Sequence, residues 1–186
     1  RALNHVLKLV SGGSRLKKVA FGQNHLMFEL IDAEGFDGEG GKDIRLFTRL
    51  IEGPYVDYEQ VIPSGNSKRM YITNSALAPA VRRVSILASS QTHQVRIALG
   101  ENEVELTANS QEIGGEAKET LDAKYGEDAM EIGYNAGYLL DILRRIESDE
   151  VVFELDSAVT AGIIRPVDQA EGEDYLCLLM PLRLSE

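Results

Sequence analysis

The 186-residue sequence is 44% hydrophobic and 26% charged, and 19 Lys plus Arg against 30 Asp plus Glu leave a net charge of −11. That length holds one or two domains with enough chain for a core, and the balance is that of a globular chain rather than a disordered or fibrous one. No run approaches the ~20 consecutive apolar residues of a bilayer helix. The opening Arg1-Ala-Leu-Asn-His5 lacks the basic and apolar regions of a signal peptide. A single cysteine, Cys177, cannot close an internal disulfide, which points to a reducing compartment, the cytoplasm. A start without Met that opens directly on helical periodicity points to a piece of something longer. Taken as one number, the acidic balance argues against nucleic acid, because phosphate binding is driven mainly by Lys and Arg.

Leu3, Val6, Leu7 and Val10 lie three or four apart, so residues 1 to about 10 are predicted as a helix with one apolar stripe, stopped by Ser11-Gly12-Gly13-Ser14. Strands follow at 19–21, 25–30 and 44–51, split by turn formers such as Gly22 to Asn24. Asp32 to Asp43 is acidic and glycine-rich, has too little apolar area to offset its ordering entropy, and is expected to be a mobile loop. After Gly53-Pro54, the stretch to Pro63-Ser-Gly-Asn-Ser67 reads as a connection between domains. A second unit opens with a strand at 70–72 and a helix capped by Asn74 or Ser75, in which Leu77, Val81, Val84 and Ala88 recur at helical spacing. Pro79 is expected in the first turn or so of that helix, where its missing N–H costs least. Strands at 95–99 and 103–108 join through a Gly100-Glu-Asn turn, with another at 117–123.

The third unit repeats the second. A strand at 130–132, a cap at Asn135 and a stripe of Leu139, Ile142, Leu143 and Ile146 precede strands at 151–155, 160–166 and 175–184. Val81-Arg82-Arg83-Val84 is matched by Leu143-Arg144-Arg145-Ile146 roughly sixty residues later, the mark of a duplicated supersecondary unit. The first helix and its three strands fit as another copy lacking its leading strand. The fold class is therefore α+β: antiparallel sheet with one helix per unit on one face.

Catalytic chemistry is missing from the pattern. His5, His25 and His93 are scattered, with no pair at the spacing of a metal site, and Cys177 lies in an apolar run where a buried inert thiol is expected. The glycine-rich loop fails as a phosphate cradle, because Gly41-Lys42 is followed by Asp43 and Phe36 takes the place of the first glycine. It fails as a calcium loop, because Phe36 would fall on a ligand position and Asp37 where glycine is needed. No nucleophile stands with a base, so no catalytic residue, metal or cofactor is assigned.

Leu50-Ile-Glu-Gly53, Tyr55-Val-Asp-Tyr58 and Val61-Ile-Pro63 resemble the bacterial sliding clamp, the β subunit of DNA polymerase III. The series continues in the family's order through Ser75-Ala-Leu77, Arg82-Arg-Val-Ser-Ile-Leu87, Leu106-Thr-Ala-Asn109, Glu116-Ala117, Met130-Glu-Ile-Gly-Tyr-Asn135, Tyr138-Leu-Leu-Asp141 and Met180-Pro-Leu-Arg-Leu184. No one run is decisive; the ordered series over nearly the whole chain is specific. The resemblance implies that residues 1–64 are the second half of the clamp's middle domain and 65–186 its complete C-terminal domain.

In that family two chains close a ring around duplex DNA, helices inside and sheets outside, and tether the polymerase without catalysis of their own. The resemblance gives Lys8, Arg82, Arg83, Arg144 and Arg145 a DNA-facing role independent of base sequence, beside the plainer reading of solvated helix charge. It implies a pocket for short peptides of polymerases, clamp loader and repair proteins. The walls carried over are Val56, Val61, Asn135, Tyr138, Val159, Ala161, Leu178, Leu179, Met180, Pro181, Leu182 and Arg183. Met and Leu give such a pocket an adaptable surface, Tyr138 an amphipathic rim, and Leu178 to Leu182 can also serve as a core strand. It places Ile86, Leu87, Glu112, Glu116 and Glu119 at the ring-closing contact of the homodimer.

Some positions depart from the family. Gln60 stands where other members can carry a basic residue, Val56 replaces a proline, and the acidic glycine loop looks inserted. Part of the pocket belongs to the half not present here, so weakened peptide binding and no closed ring are expected of these residues alone. A reading of another class, a small α+β enzyme or ligand-binding domain using carboxylates such as Asp141 and Asp156, is opposed by the Arg pairs and the C-terminal run. By position the acids crowd into 32–43, 112–131 and 168–174, so net charge does not decide the question of DNA.

Overall fold

Val6 is the residue that seats the first helix, α1 (Ala2–Ser11), on a three-stranded antiparallel meander, β1 (Arg15–Phe21), β2 (His25–Ile31) and β3 (Asp43–Arg49). The computed structural model describes residues 2–32, 42–110 and 114–184, and the chain divides into two compact units, Arg1–Val56 and Asp57–Glu186. In the first, Val6 meets Phe28 and Leu30, with Leu9, Leu26, Ile44 and Leu46 packed around them. Leu3, Leu7 and Val10 of the predicted stripe are exposed, so only part of that stripe is core. Gly12 and Gly13 end α1 as expected, donating to the carbonyls of Lys8 and Val10. β1 begins four residues earlier than predicted, because Arg15 to Lys18 are exposed and carry no burial period to read. Of the expected mobile loop, 33–41 lies outside the described residues; at its base the Asp32 N–H donates to the Lys42 carbonyl at 3.2 Å.

The second unit is two interlocked copies of one motif. The first copy is β4 (Lys68–Thr73), α2 (Asn74–Val84), β5 (Gln94–Gly100), β6 (Glu103–Ser110) and β7 (Gly115–Asp122). The other is β8 (Met130–Asn135), α3 (Ala136–Leu143), β9 (Glu150–Leu155), β10 (Gly162–Pro166) and β11 (Cys177–Leu179). Each copy gives its leading strand to the other's sheet, so the strand orders are β7-β6-β5-β8 and β11-β10-β9-β4. Met70 pairs with Phe153 and Ile97 with Ile132, and these residues are buried. The repeat was legible in the sequence; the exchange of strands was not, because it depends on pairing between residues about 80 apart or closer to 40 that no local pattern encodes.

Both helices sit on one core that includes Leu77, Val81, Val84, Leu139 and Leu143. Their starts differ from expectation at α2. Thr73 occupies the N-cap and makes no side-chain cap bond, while Asn74 is the first helical residue. Its side-chain amide is used elsewhere, donating to the carbonyls of Leu143 at 3.1 Å and Ile146 at 3.0 Å at the far end of α3. That tie joins the start of α2 to the end of α3. Pro79 is the sixth residue of α2, beyond the first turn, and its exposed position leaves the unmatched carbonyl of Ser75 to solvent. α2 stops at Val84 and passes into a 3-10 turn, Ser85–Leu87; α3 stops at Leu143 with Arg144 as its cap, so Ala88 and Ile146 are core residues outside the helices. The predicted last strand, 175–184, forms a ladder only over Cys177–Leu179, since Pro181 soon removes a ladder donor, and makes one isolated bridge at Leu182.

Candidate functional site

A chain that cannot continue one sheet crosses to the other. Leu179 is buried opposite Gly162, and beyond it Met180 is 60% exposed. Leu182 then donates its N–H to the Gly133 carbonyl at 2.7 Å, forming a single bridge to β8. Gly133 is required by this crossing: a Cβ there would stand 2.5 Å from Gln94 Nε2, 2.8 Å from Leu184 Cδ2 and 3.0 Å from the Leu182 carbonyl oxygen. Gln94 Nε2 donates to the Arg183 carbonyl at 3.3 Å, which holds the crossing strand from its other side. Leu178, Pro181 and Leu182 are half-buried and Arg183 is exposed. Alternation along this run therefore divides it between core and surface, as the sequence allows.

Two residues past Gly133, Asn135 caps α3, its Oδ1 accepting from the N–H groups of Gly137 at 2.9 Å and Tyr138 at 3.2 Å. Its Nδ2 donates to the Thr92 carbonyl at 2.9 Å, so the cap is fixed at both ends. This sets Tyr138 in the first turn with its side chain 66% exposed. On the other flank, the Gly162–Leu179 register continued outward brings Ala161, itself buried, beside Met180. The turn before Ala161 holds Val159 65% exposed and is tied by the Ser157 and Thr160 hydroxyls at 2.7 Å. Val61, also exposed, follows a 3-10 turn at Tyr58–Gln60 in which Gln60 Nε2 donates to Asp57 Oδ2 at 2.9 Å. Val56 is exposed at the end of the first unit. Around the crossing strand the second unit thus presents Met180, Tyr138 and Val159, a flexible thioether, an amphipathic ring and a branched aliphatic. Such side chains offer an adaptable apolar contact surface.

The cationic residues fall at helix ends. Lys8 is exposed in the last turn of α1. Arg82 and Arg83 occupy the last turn of α2, and Arg144 and Arg145 follow the last turn of α3, where the helix dipole favours positive charge. Because the start of α2 is tied to the end of α3, Arg144 and Arg145 stand near the start of α2 and Arg82 and Arg83 at its other end. Arg83 grips Glu119 on β7 with Nε at 3.1 Å and Nη2 at 2.5 Å, and this bond holds the Glu119 carboxyl below the ordinary value for glutamate. Arg144 Nη1 lies 3.5 Å from Asp141 Oδ1, and Arg145 Nη1 donates to the Asp141 carbonyl at 3.0 Å. Arg82 has no ion pair among the described residues. Ile86 is 73% exposed beside the half-buried Leu87, which lies against Gly115 of β7; Glu116 is exposed and Glu112 lies outside the described residues.

The carboxylates named for an enzyme reading are separately occupied, Asp141 by Arg144 and Asp156 by the Thr160 hydroxyl at 3.3 Å. Cys177 is half-buried rather than buried, and its thiol donates to the Tyr175 hydroxyl at 3.3 Å. No group of three or more His, Cys, Asp or Glu among the described residues is placed to hold a metal, and no described helix is long and apolar enough to cross a membrane. A cleft of about 580 Å³ opens between the turn after α3 and segment 166–175, lined by Arg145, Ser148, Gln169, Tyr175 and four carboxylates; it shares only Arg145 with the predicted residues. Sequence reasoning missed Gly133, Gln94 and Asn66. Gly133 lies just past the strand predicted at 130–132 and inside the observed β8, where a glycine marks a close backbone approach.

Among solved structures, the fold matches a sliding clamp of Pseudomonas aeruginosa bound to griselimycin, with a TM-score of 0.71 and 27% identity over 89% of this chain and 41% of that one. A Bartonella birtlesii clamp, also bound to griselimycin, gives 0.69 and 25% over 96% of this chain and 59% of that one. The duplicated helix-and-meander architecture is the sliding-clamp fold. The family described as DNA polymerase III beta subunit, C-terminal domain, matches residues 59–183. The chain belongs to the DNA polymerase III beta subunit family of bacterial sliding clamps. Two curated relatives, each described as "Beta sliding clamp", come from Salmonella typhimurium, 29% identical over 180 residues, and Caulobacter vibrioides, 34% identical over 140. The first match takes in 96% of this chain and 45% of the relative, the second 75% and 36%, so the chain spans about half the length of such relatives or less.

Proposed function

We propose that this chain carries the partner-docking part of a replicative sliding clamp. On this reading it is a cytoplasmic, non-catalytic subunit without cofactor, which acts by binding. The observation that carries the reading is the bond from Leu182 to Gly133: it brings Met180 and Leu182 alongside the Asn135 cap, with Tyr138 in the next turn and Val159 and Ala161 on the opposite flank. A short peptide from the polymerase, the clamp loader or a repair protein would lay apolar side chains against these residues and Val61, with Leu178, Leu179 and Pro181 supporting them from behind and Arg183 available to a carboxylate or carbonyl. Val56 enters the site through the resemblance.

The reading extends to DNA and to ring closure. Lys8, Arg82, Arg83, Arg144 and Arg145 would face the phosphates of duplex DNA inside a homodimeric ring. Arg82 is the strongest of them in the second unit, since the others already have partners. Ile86, Leu87, Glu112, Glu116 and Glu119 would lie at the contact that closes the ring, beside the free edge of β7.

Two solved relatives are bound to griselimycin, which makes it a direct probe. Labelled griselimycin titrated with the full chain and followed by fluorescence anisotropy is expected to saturate, and Tyr138→Ala or Met180→Ala to weaken binding about tenfold, since both lie exposed and are dispensable to the core. No saturation, or equal affinity for parent and variants, would reject the reading.

A further inference from the structure

Asn66 sits in the segment between Val61 and β4, and its side chain spans the turn that carries Val159. Nδ2 donates to the Glu154 carbonyl at 2.9 Å and to the Ala161 carbonyl at 2.9 Å, residues 88 and 95 positions away in sequence. The β9–β10 ladder has its last pair at Glu154 and Ile163, so the amide bridges the two strands where the ladder ends and the turn opens. An NH2 group carries two protons, and both are used. The orientation is fixed by chemistry: exchanging Oδ1 and Nδ2 would set an oxygen against two carbonyl oxygens. Oδ1 is buried and has no hydrogen-bond partner among the described residues, so the two donated bonds are what hold the side chain in place.

We infer that Asn66 is the positioning residue of the docking surface. It fixes the segment that follows Val61 to the Val159–Ala161 turn beyond the end of the β4–β9 ladder at Lys68 and Leu155, and so sets the spacing between the two walls there. The inference rests on the peptide-docking reading, yet its mechanical part stands by itself. Without the bridge, residues 156–161 lose the cross-link at the base of their turn while the core, which contains none of the bonded groups' side chains, stays packed.

The test uses the full chain with Asn66→Ala and Asn66→Asp, the second nearly isosteric but unable to donate. Amide hydrogen exchange at 157–161 is expected to rise about tenfold in both variants, the effect of two ordinary hydrogen bonds, with exchange at Leu77 and Leu139 unchanged. Griselimycin affinity is expected to fall by a similar factor. Unchanged exchange at 157–161 overturns the inference however griselimycin behaves, and a rise spread evenly over β4, β9 and the helices overturns it in favour of a general structural role. A local rise in both variants, with no griselimycin binding by the parent chain, keeps the bridge and rejects the docking reading alone.

Discussion

The two copies in the second unit close their sheets the same way and finish differently. In the first, Lys124 crosses back from β7 and exchanges both backbone bonds with Tyr71 of β4, at 3.0 and 2.9 Å. In the second, Leu182 crosses back from β11 to Gly133 of β8, and both bridges stand two residues before the helix cap. The first crossing is closed over by buried Ala123 and Tyr125. At the second, glycine replaces the tyrosine, Asn135 replaces Thr73 at the cap, and Tyr138 replaces Ala76 at the third helical position. These changes leave Met180 and Tyr138 exposed beside a crossing strand. The two crossings thus share one architecture and differ at the bridge and the cap, and on the proposed reading it is the second that receives a partner.

The most disruptive way to probe this pairing is through the core the copies share. Leu77 and Leu139 are the fourth residues of α2 and α3, both fully buried in one cluster. Leu77→Ala and Leu139→Ala should each cost about 3 kcal/mol in denaturant unfolding of the second unit, with similar values and a single transition. Two separate transitions, or a cost confined to one copy, would break the equivalence.

Gly133→Val attacks only the second crossing. Its side chain has no room against Gln94, Leu184 and the Leu182 carbonyl, so about 2 kcal/mol of destabilisation is expected together with loss of griselimycin binding. Retained binding would show that the crossing strand does not build the surface. A smaller contrast separates the caps: Asn135→Ala should cost about 1 kcal/mol in denaturant unfolding, whereas Thr73→Ala, which removes no side-chain cap bond, should be close to neutral.

The smallest effect belongs to the first copy's edge. Arg83 lowers the pKa of Glu119, so the pair's contribution is present above the usual glutamate value of 4.5 and is lost as pH falls through the depressed folded value. Melting temperature against pH should therefore drop more steeply for the parent chain than for Glu119→Gln below about pH 4.5, the two curves running parallel above it. Arg83 is exposed and Glu119 half-buried on the sheet surface, so solvent screening keeps the effect slight.

Much of this was readable before the fold was known, and the failures have physical causes. Helical stripes at Leu77 to Val84 and Leu139 to Leu143 and the alternation of β5 and β6 are driven by burial, which leaves a period in the sequence. β1 left none because its side chains face solvent. The Arg repeat was visible, but not that Arg83 would be held by a carboxylate, since Glu119 lies 36 residues from it. The candidate site was legible as a list of residues, through resemblance and the Met180 to Leu184 run. Its construction was not, because it depends on one missing side chain, at Gly133, and on amide bonds from Gln94, Asn135 and Asn66 to distant carbonyls.

The central claim is that the second crossing, and not the first, receives a partner. The most direct measurement is a backbone and side-chain NMR titration of the full chain with griselimycin. The account predicts shifts concentrated at Tyr138, Val159, Ala161, Met180 and Leu182, with Tyr71, Lys124 and Tyr125 at the equivalent crossing unmoved. Shifts centred on the first crossing, or on the cleft around Ser148 and Tyr175, would contradict it.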